Sequence, residues 1–377
     1  MYFILVIPIL FSLSKGLEVP DFFEINIDRD HPDKIYKAFE EFKVKYNRKY
    51  KNAAENQIRM QNFVKTFNKV DLLNKRSEEK GLTSQFGINK FSDLSSQEFK
   101  RRLLSSTHQN ITGFLKNSRK LTFPRRHKRQ AENSEEPPKD FDLRTETVNG
   151  RYIIGDVKDQ GECSTCWVFA VTAVVETILA HSLGRFKSLS EQELCDCATD
   201  GTPGCRGGSL HWGVEYILGK GLAGAWEYPE YNQQRANKSG MCEAASSKRS
   251  FPPNKLEFYD LSENPEYEMR GVLNFWKSPV AVFFQVGTSF RNYRSGVLTY
   301  EDDCRTGPEI HWHAGAVVGY GEDRDRYGRS QKYWIVKNSW GTGQWGDDGY
   351  VKVIRGRNWC DIERGAVGAK MADSIHS

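Results

Sequence analysis

The chain has 377 residues, 38% of them hydrophobic and 27% charged, and 54 basic against 49 acidic side chains leave a net charge of +5. That length holds one large domain with an extra module, or two ordinary domains, and the composition is that of a globular protein. The small positive excess lacks a dense basic stripe interleaved with aromatics, which argues against a nucleic-acid partner.

Residues 1–14 form an apolar run that is too short to span a bilayer and stops at small residues. Residues 1–16 therefore read as a secretory signal peptide, although no positive residue opens them. No later run has membrane length, so a soluble product is expected. Residues 33–78 are polar and helix-prone, and Tyr36, Phe39, Phe42, Tyr46 and Tyr50 recur at helical spacing. Ile58, Phe63, Phe67, Val70 and Leu73 mark a second stretch. Together they predict a small helical module within 17–104, and periodicity alone would equally suit a plain helical hairpin.

Residues 105–139 are rich in Ser, Asn, Lys, Arg and Glu and carry Pro124, Pro137 and Pro138, which predicts an exposed linker. The linker holds a basic cluster between Arg126 and Arg129. It reads either as a solvated stretch or as a processing site, since it resembles the sequence cut by subtilisin-like proprotein convertases. From 140 to 377 the chain is denser in Trp, Tyr, Gly and Cys. Helix patterns start at Cys166, at Ser190 and near 265, and the first stops at Gly184. Strand patterns follow at 280–286, 314–320, 333–336 and 350–354. Helices first and strands afterwards predict an α+β fold with two packed subdomains.

All eight cysteines lie at or beyond Cys163, which suggests disulfides in the C-terminal module of a secreted chain. Sequons at Asn110 and Asn237 fit the same route as glycosylation sites. Cys166 opens a long helix, where backbone N–H groups and the helix dipole favour a thiolate. A nucleophilic thiol needs a base, and His313, at the head of a strand, is the candidate. Asn338 follows another strand and can orient the imidazole, with Trp340 placed to screen their bond from water. Taken singly, Cys166 would be a buried or bonded cysteine and His313 a structural histidine; their order and flanking residues favour catalysis.

The segments Gln160–Trp167, His313–Gly321 and Asn338–Tyr350 resemble the Cys, His and Asn regions of papain-like cysteine proteases. His313 and Asn338 lie 147 and 172 residues beyond Cys166 (313 − 166 and 338 − 166), and the second spacing is stretched by a polar loop at 322–331. Ser164 and Thr165 depart from the family signature, as does Trp312 before the histidine. The resemblance implies a fold with a helical left part and a β-barrel-like right part, preceded by an α-helical inhibitory propeptide. It implies a thioester mechanism with Cys166 as nucleophile, His313 as base, Asn338 as orienting group and Gln160 as oxyanion donor, needing no metal or organic cofactor.

The same resemblance pairs Cys163 with Cys205, Cys197 with Cys242 and Cys304 with Cys360, leaving Cys195 as a free thiol. It places Gly207, Gly208, Leu210, Phe283, Ala314 and Trp340 at the substrate cleft, with Gly365 as a further candidate, and implies an apolar side chain two positions before the cut. Ser164 would narrow the pocket next to it. Glu55, Arg59, Phe63 and Asn74 match the helical propeptide motif of the cathepsin L-like branch, and Gly87, Asn89, Phe91 and Asp93 match its second motif. Asp93 is a candidate acid switch. The propeptide would lay its linker through the cleft. Expected partners are protein and peptide substrates, the propeptide itself and cystatin-like inhibitors, for a monomer in a lysosome-like compartment or outside the cell. The rival readings are a silent family member that only binds, and another cysteine acyl-transferase such as a transglutaminase.

Overall fold

A computed structural model describes residues 32–104, 119–120, 136–199, 204–238, 240–243, 248–299 and 311–372. The readings at 1–16, Asn110, Arg126, Arg129 and Cys304 lie outside them. The N-terminal module begins with α1 (Pro32–Lys45) and α2 (Ala53–Glu79). Asn52 caps α2 by accepting from the Glu55 N–H. The helices cross on a small aromatic core of Phe39, Phe42 and Phe63, with ring centroids 5.1–6.2 Å apart.

The helical periodicity fails at Tyr36, Ile58 and Tyr50. Ile35 is buried in place of Tyr36, which is 61% exposed, and Ile58 is 57% exposed. α1 ends before Tyr50, so the predicted aromatic row is broken, and Tyr50 instead donates to Asp93 over 3.0 Å.

Beyond α2, Asn74 brackets the backbone of Phe86, donating to its carbonyl (3.0 Å) and accepting from its N–H (2.9 Å). This fixes β1 (Gln85–Phe86). Residues Ser96–Lys100 form α3 under a capping box between Ser95 and Glu98. Arg59 reaches across from α2 to Glu98 at 2.9 Å. Burial raises the Glu98 pKa, but bonds from Ser95 and Arg59 outweigh it and hold the carboxyl below its ordinary 4.5. A depressed carboxylate stabilises the fold above the unfolded pKa and loses that contribution as pH falls through the folded one. Glu98→Gln is therefore expected to lower the melting midpoint of the propeptide at about pH 6 and to leave it less sensitive to acid than the parent; far-ultraviolet circular dichroism of the full chain measures both.

The larger module opens with α4 (Cys166–Leu183), whose left-handed cap at Gly184 (φ 67°) stops it. It continues with α5 (Glu191–Cys197) and α6 (Leu210–Lys220). Almost every face of α4 is buried, so it reads as apolar all round and forms the axis of one core. Next come β2 (Leu256–Asp260), α7 (Pro265–Phe275), β3 (Val280–Val286), β4 (Tyr293–Ser295), β5 (Val297–Leu298), β6 (His311–Arg324), β7 (Ser330–Lys337), β8 (Tyr350–Ile354) and β9 (Val367–Met371).

Among the described residues the sheet runs β5-β8-β7-β6-β3-β9-β2, with Phe141–Asp142 paired on β6. Arg119–Lys120, inside the stretch read as linker, pairs with β2. The sheet covers a second core that contains Trp334, Trp340, Trp345 and Trp359. The architecture is the expected α+β pair of subdomains, helical on one side and sheet on the other. The propeptide joins it through β1, which pairs with β4.

Besides that pairing, the N-terminal module is held at two places far apart. Near α3, Phe91 packs edge-on against Trp340 at 5.0 Å, and Arg291 donates to the carbonyls of Phe91 (2.6 Å) and Leu94 (2.7 Å). At the far end, β6 and β7 stay paired as far as Arg324 and Ser330, so the loop expected over 322–331 shortens to a tight tip at 325–329. Asp325 sets that tip by accepting from the N–H groups of Tyr327 and Arg329. The Arg326 N–H then donates to the Gly81 carbonyl (3.1 Å), and the Tyr327 hydroxyl to that of Glu79 (3.4 Å). The second of these satisfies a carbonyl of the last turn of α2, and the first holds the chain just beyond its cap.

Candidate active site

Each candidate side chain is placed by an element end. Cys166 is the first residue of α4 and is fully buried. Its cap residue Thr165 makes no capping bond. Thr165 bonds instead to Tyr231 (2.9 Å), whose hydroxyl donates to the Gln160 carbonyl (2.8 Å). Burial pushes the Cys166 thiol up to about 12, against the N–H groups of Ala314, Trp167 and Cys166, which favour the thiolate.

His313 sits in β6 opposite Phe284 of β3. Phe284 and Phe290 stand edge-on to its ring, and Trp340 lies over it at 4.9 Å. Asn338 follows the end of β7, and its Oδ1 accepts from His313 Nε2 over 2.7 Å. An amide oxygen can only accept, so Nε2 carries the proton and Nδ1 is the basic nitrogen. Nδ1 is buried and has no hydrogen-bond partner in the described residues. Burial lowers the imidazole to about 4, against the Asn338 bond, which favours its protonated form. Under the propeptide both groups are thus driven to their neutral forms.

Gln160 is also buried. Its Oε1 accepts from the Ser339 hydroxyl (2.6 Å), which fixes the amide so that Nε2 points at the carbonyls of Cys163 (2.6 Å) and Arg102 (2.8 Å). Arg102 belongs to the propeptide. Two residues on, Leu104 forms a single antiparallel bridge with Trp312 of β6 through bonds of 2.8 and 3.3 Å. Arg101–Leu104, at the end of the helical module, thus lies in the cleft, and the linker expected to run through it from 105 lies outside the described residues up to 118. α3 is only five residues long, and its end delivers the chain to β6.

Leu104 shares one buried apolar cluster with Leu210, Phe283 and Ala314. Gly207 is buried with φ 108°, and a Cβ on Gly208 would meet the Trp167 indole at 2.3 Å, so packing inside the protein already requires that glycine. Gly365 has φ 81°. Trp340 is fully covered by Phe91 and Phe99 of the propeptide together with Phe290 and Trp345.

Disulfides join Cys163 to Cys205 and Cys197 to Cys242; Cys360 is disulfide-bonded, and Cys195 is a buried free thiol. Asn237 is exposed just after a short helix. Of the propeptide motif, Glu55 accepts from the Lys51 N–H, Asn89 reaches the Arg291 carbonyl (2.8 Å), and Gly87 donates to that of Asn292 (2.9 Å). Sequence reasoning missed Ser339 and Tyr231, which hold the two ends of Gln160. Ser339 stood in the quoted block beside Asn338; nothing local marks Tyr231, whose partners are 66 and 71 residues away.

A family model described as the papain family cysteine protease matches residues 137–370, and the cathepsin propeptide inhibitor domain matches 39–99. Among curated relatives, thiol protease aleurain of Arabidopsis thaliana is 34% identical over 86% of this chain and 81% of its own length. Pro-cathepsin H of Mus musculus is 32% identical over 85% and 86%. The solved digestive procathepsin L2 of Tenebrio molitor superposes with a TM-score of 0.71 at 28% identity, covering 90% of this chain and all of that one. The chain belongs to the papain family of cysteine proteases and is made as a zymogen, with an inhibitory propeptide domain ahead of the peptidase.

Proposed function

We propose that Cys166 is the nucleophile of this peptidase. The observation that carries the reading is the Arg102 carbonyl on the Gln160 amide at 2.8 Å: a peptide main chain lies in the cleft with its carbonyl on the group suited to an oxyanion. Once the propeptide leaves, water reaches the pair and a proton passes from the Cys166 thiol to His313 Nδ1. The thiolate attacks the scissile carbonyl, Gln160 and the Cys166 N–H stabilise the oxyanion, and His313 gives its proton to the leaving amine. A thioester remains. His313 then takes a proton from water, the hydroxide attacks the thioester, and the acid product and the thiol are restored. Asn338 keeps the imidazole in the tautomer that each step needs.

The cluster of Leu104 with Leu210, Phe283 and Ala314 supports an apolar preference two positions before the cut. The disulfides and the N-terminal apolar run support passage through the secretory pathway to a lysosome-like compartment or the outside. On that route the proposal includes convertase cutting at Arg126 to Arg129, glycosylation at Asn110 and Asn237, and a monomeric product open to cystatin-like inhibitors. Incubating the full chain with a thiol reductant at about pH 5 and an epoxide probe for reactive cysteines tests the central claim. The label is expected on Cys166 and only after the propeptide is lost. A fully matured chain that stays unlabelled, or labels at Cys195, overturns it.

A further inference from the structure

Three successive propeptide carbonyls meet two side-chain donors of the peptidase. Arg102 takes the Gln160 amide, and the Ser164 hydroxyl lies 2.9 Å from the Arg101 carbonyl and 2.7 Å from that of Leu103. Ser164 is 8% exposed, and its N–H donates to the Cys205 carbonyl (3.0 Å) beside the Cys163–Cys205 disulfide, so the hydroxyl is held on a braced turn two residues before Cys166. The family signature has glycine here, which offers no such donor. The contact is to main chain, so it makes no demand on the side chains of a peptide that takes the place of Arg101–Leu104.

We propose that in the mature enzyme Ser164 Oγ–H donates to a main-chain carbonyl of the bound peptide adjoining the scissile bond, a second side-chain anchor next to Gln160. This rests on the reading of Cys166 as nucleophile. When the propeptide leaves, the hydroxyl loses both acceptors, and a substrate carbonyl restores one. The bond forms on binding and does not strengthen as charge develops, so it acts on affinity rather than on the chemical step.

The test uses matured enzyme, with active sites counted by epoxide labelling so that misfolded molecules drop out, and a set of peptides that differ beside the cut. Ser164→Ala removes the hydroxyl and keeps Cβ; Ser164→Gly restores the residue of the family signature and is the variant expected to fold whatever Ala does. Ser164→Ala is expected to raise KM on the order of fivefold on every peptide, and Ser164→Gly to do so on peptides with a small residue at the cut, as loss of one neutral hydrogen bond implies, with kcat within about twofold. Gly alone is expected to recover on peptides with a bulky residue at the cut, because it also widens the adjoining pocket. An unchanged KM in both variants, with the parent active and labelled at Cys166, overturns the proposal and leaves the nucleophile standing. A parent that neither labels nor hydrolyses overturns both.

Discussion

Cys166→Ala and His313→Ala, each made alone, are expected to lower kcat/KM for peptide hydrolysis by about 10⁴- to 10⁶-fold, and the double variant to fall little further. The thiol and the imidazole act as one unit. Without the base the thiol stays protonated, and without the thiol the imidazole has nothing to activate except water. What survives comes from Gln160 and the peptide-binding cleft, which neither change touches. Steady-state hydrolysis by matured enzyme reads the effect directly, with the propeptide removed from parent and variants alike by the same added protease. Losses that multiply in the double variant would show two independent contributions and sink the nucleophile–base assignment. The neutral state of both groups under the propeptide sharpens the contrast: with Cys166 pushed up to about 12 and His313 down to about 4, the intact zymogen is expected to resist thiol reagents throughout the neutral range.

Phe91→Ala should be the most damaging single change in the propeptide. The ring is 1% exposed, meets Trp340 at 5.0 Å and Phe99 at 5.3 Å, and has Arg102 over its face. Removing a buried Phe leaves a cavity and costs about 3–5 kcal/mol. If even the lower part of that falls on docking, the bound state weakens by about 10²-fold. The variant is then expected to lose latency at neutral pH, followed as the time course of probe labelling, while the parent stays silent. The matured enzyme contains no Phe91 and supplies its own control: kcat/KM must equal that of the parent. A Phe91→Ala chain as latent as the parent would mean that the aromatic dock contributes little.

Much of this was legible in the sequence, for physical reasons that differ by element. The run from Cys166 is apolar all round and ends at a glycine, so its extent could be read to the residue. Strand patterns at 280–286 and 350–354 match β3 and β8 because tightly buried strands carry β-branched and aromatic residues. The family resemblance supplied the roles given to Cys166, His313, Asn338 and Gln160, and the fold brings His313 onto Asn338 and Gln160 onto a propeptide carbonyl. What failed to show were contacts that no local pattern encodes. Ile35 and Tyr36 are both apolar neighbours on α1, and only the seat of α2 decides which is covered. Ser164 could be seen to depart from the family, but its carbonyl partners lie 61 and 63 residues upstream. That Arg101–Leu104 already enters the cleft did not show in the sequence either, since nothing local marks its pairing with Trp312 more than 200 residues on.

The two-ended grip on the propeptide separates cutting from switching on. The propeptide residues that make these contacts, Phe91 at one end and Glu79 with Gly81 at the other, all lie upstream of residue 105, so a break anywhere from 105 to 135 removes none of them. After such a break the tether is gone and its high effective concentration with it. Blockade then becomes an ordinary bimolecular equilibrium, governed by how much of the two fragments is present. A nicked preparation kept concentrated would stay silent, and the same preparation would awaken on dilution alone.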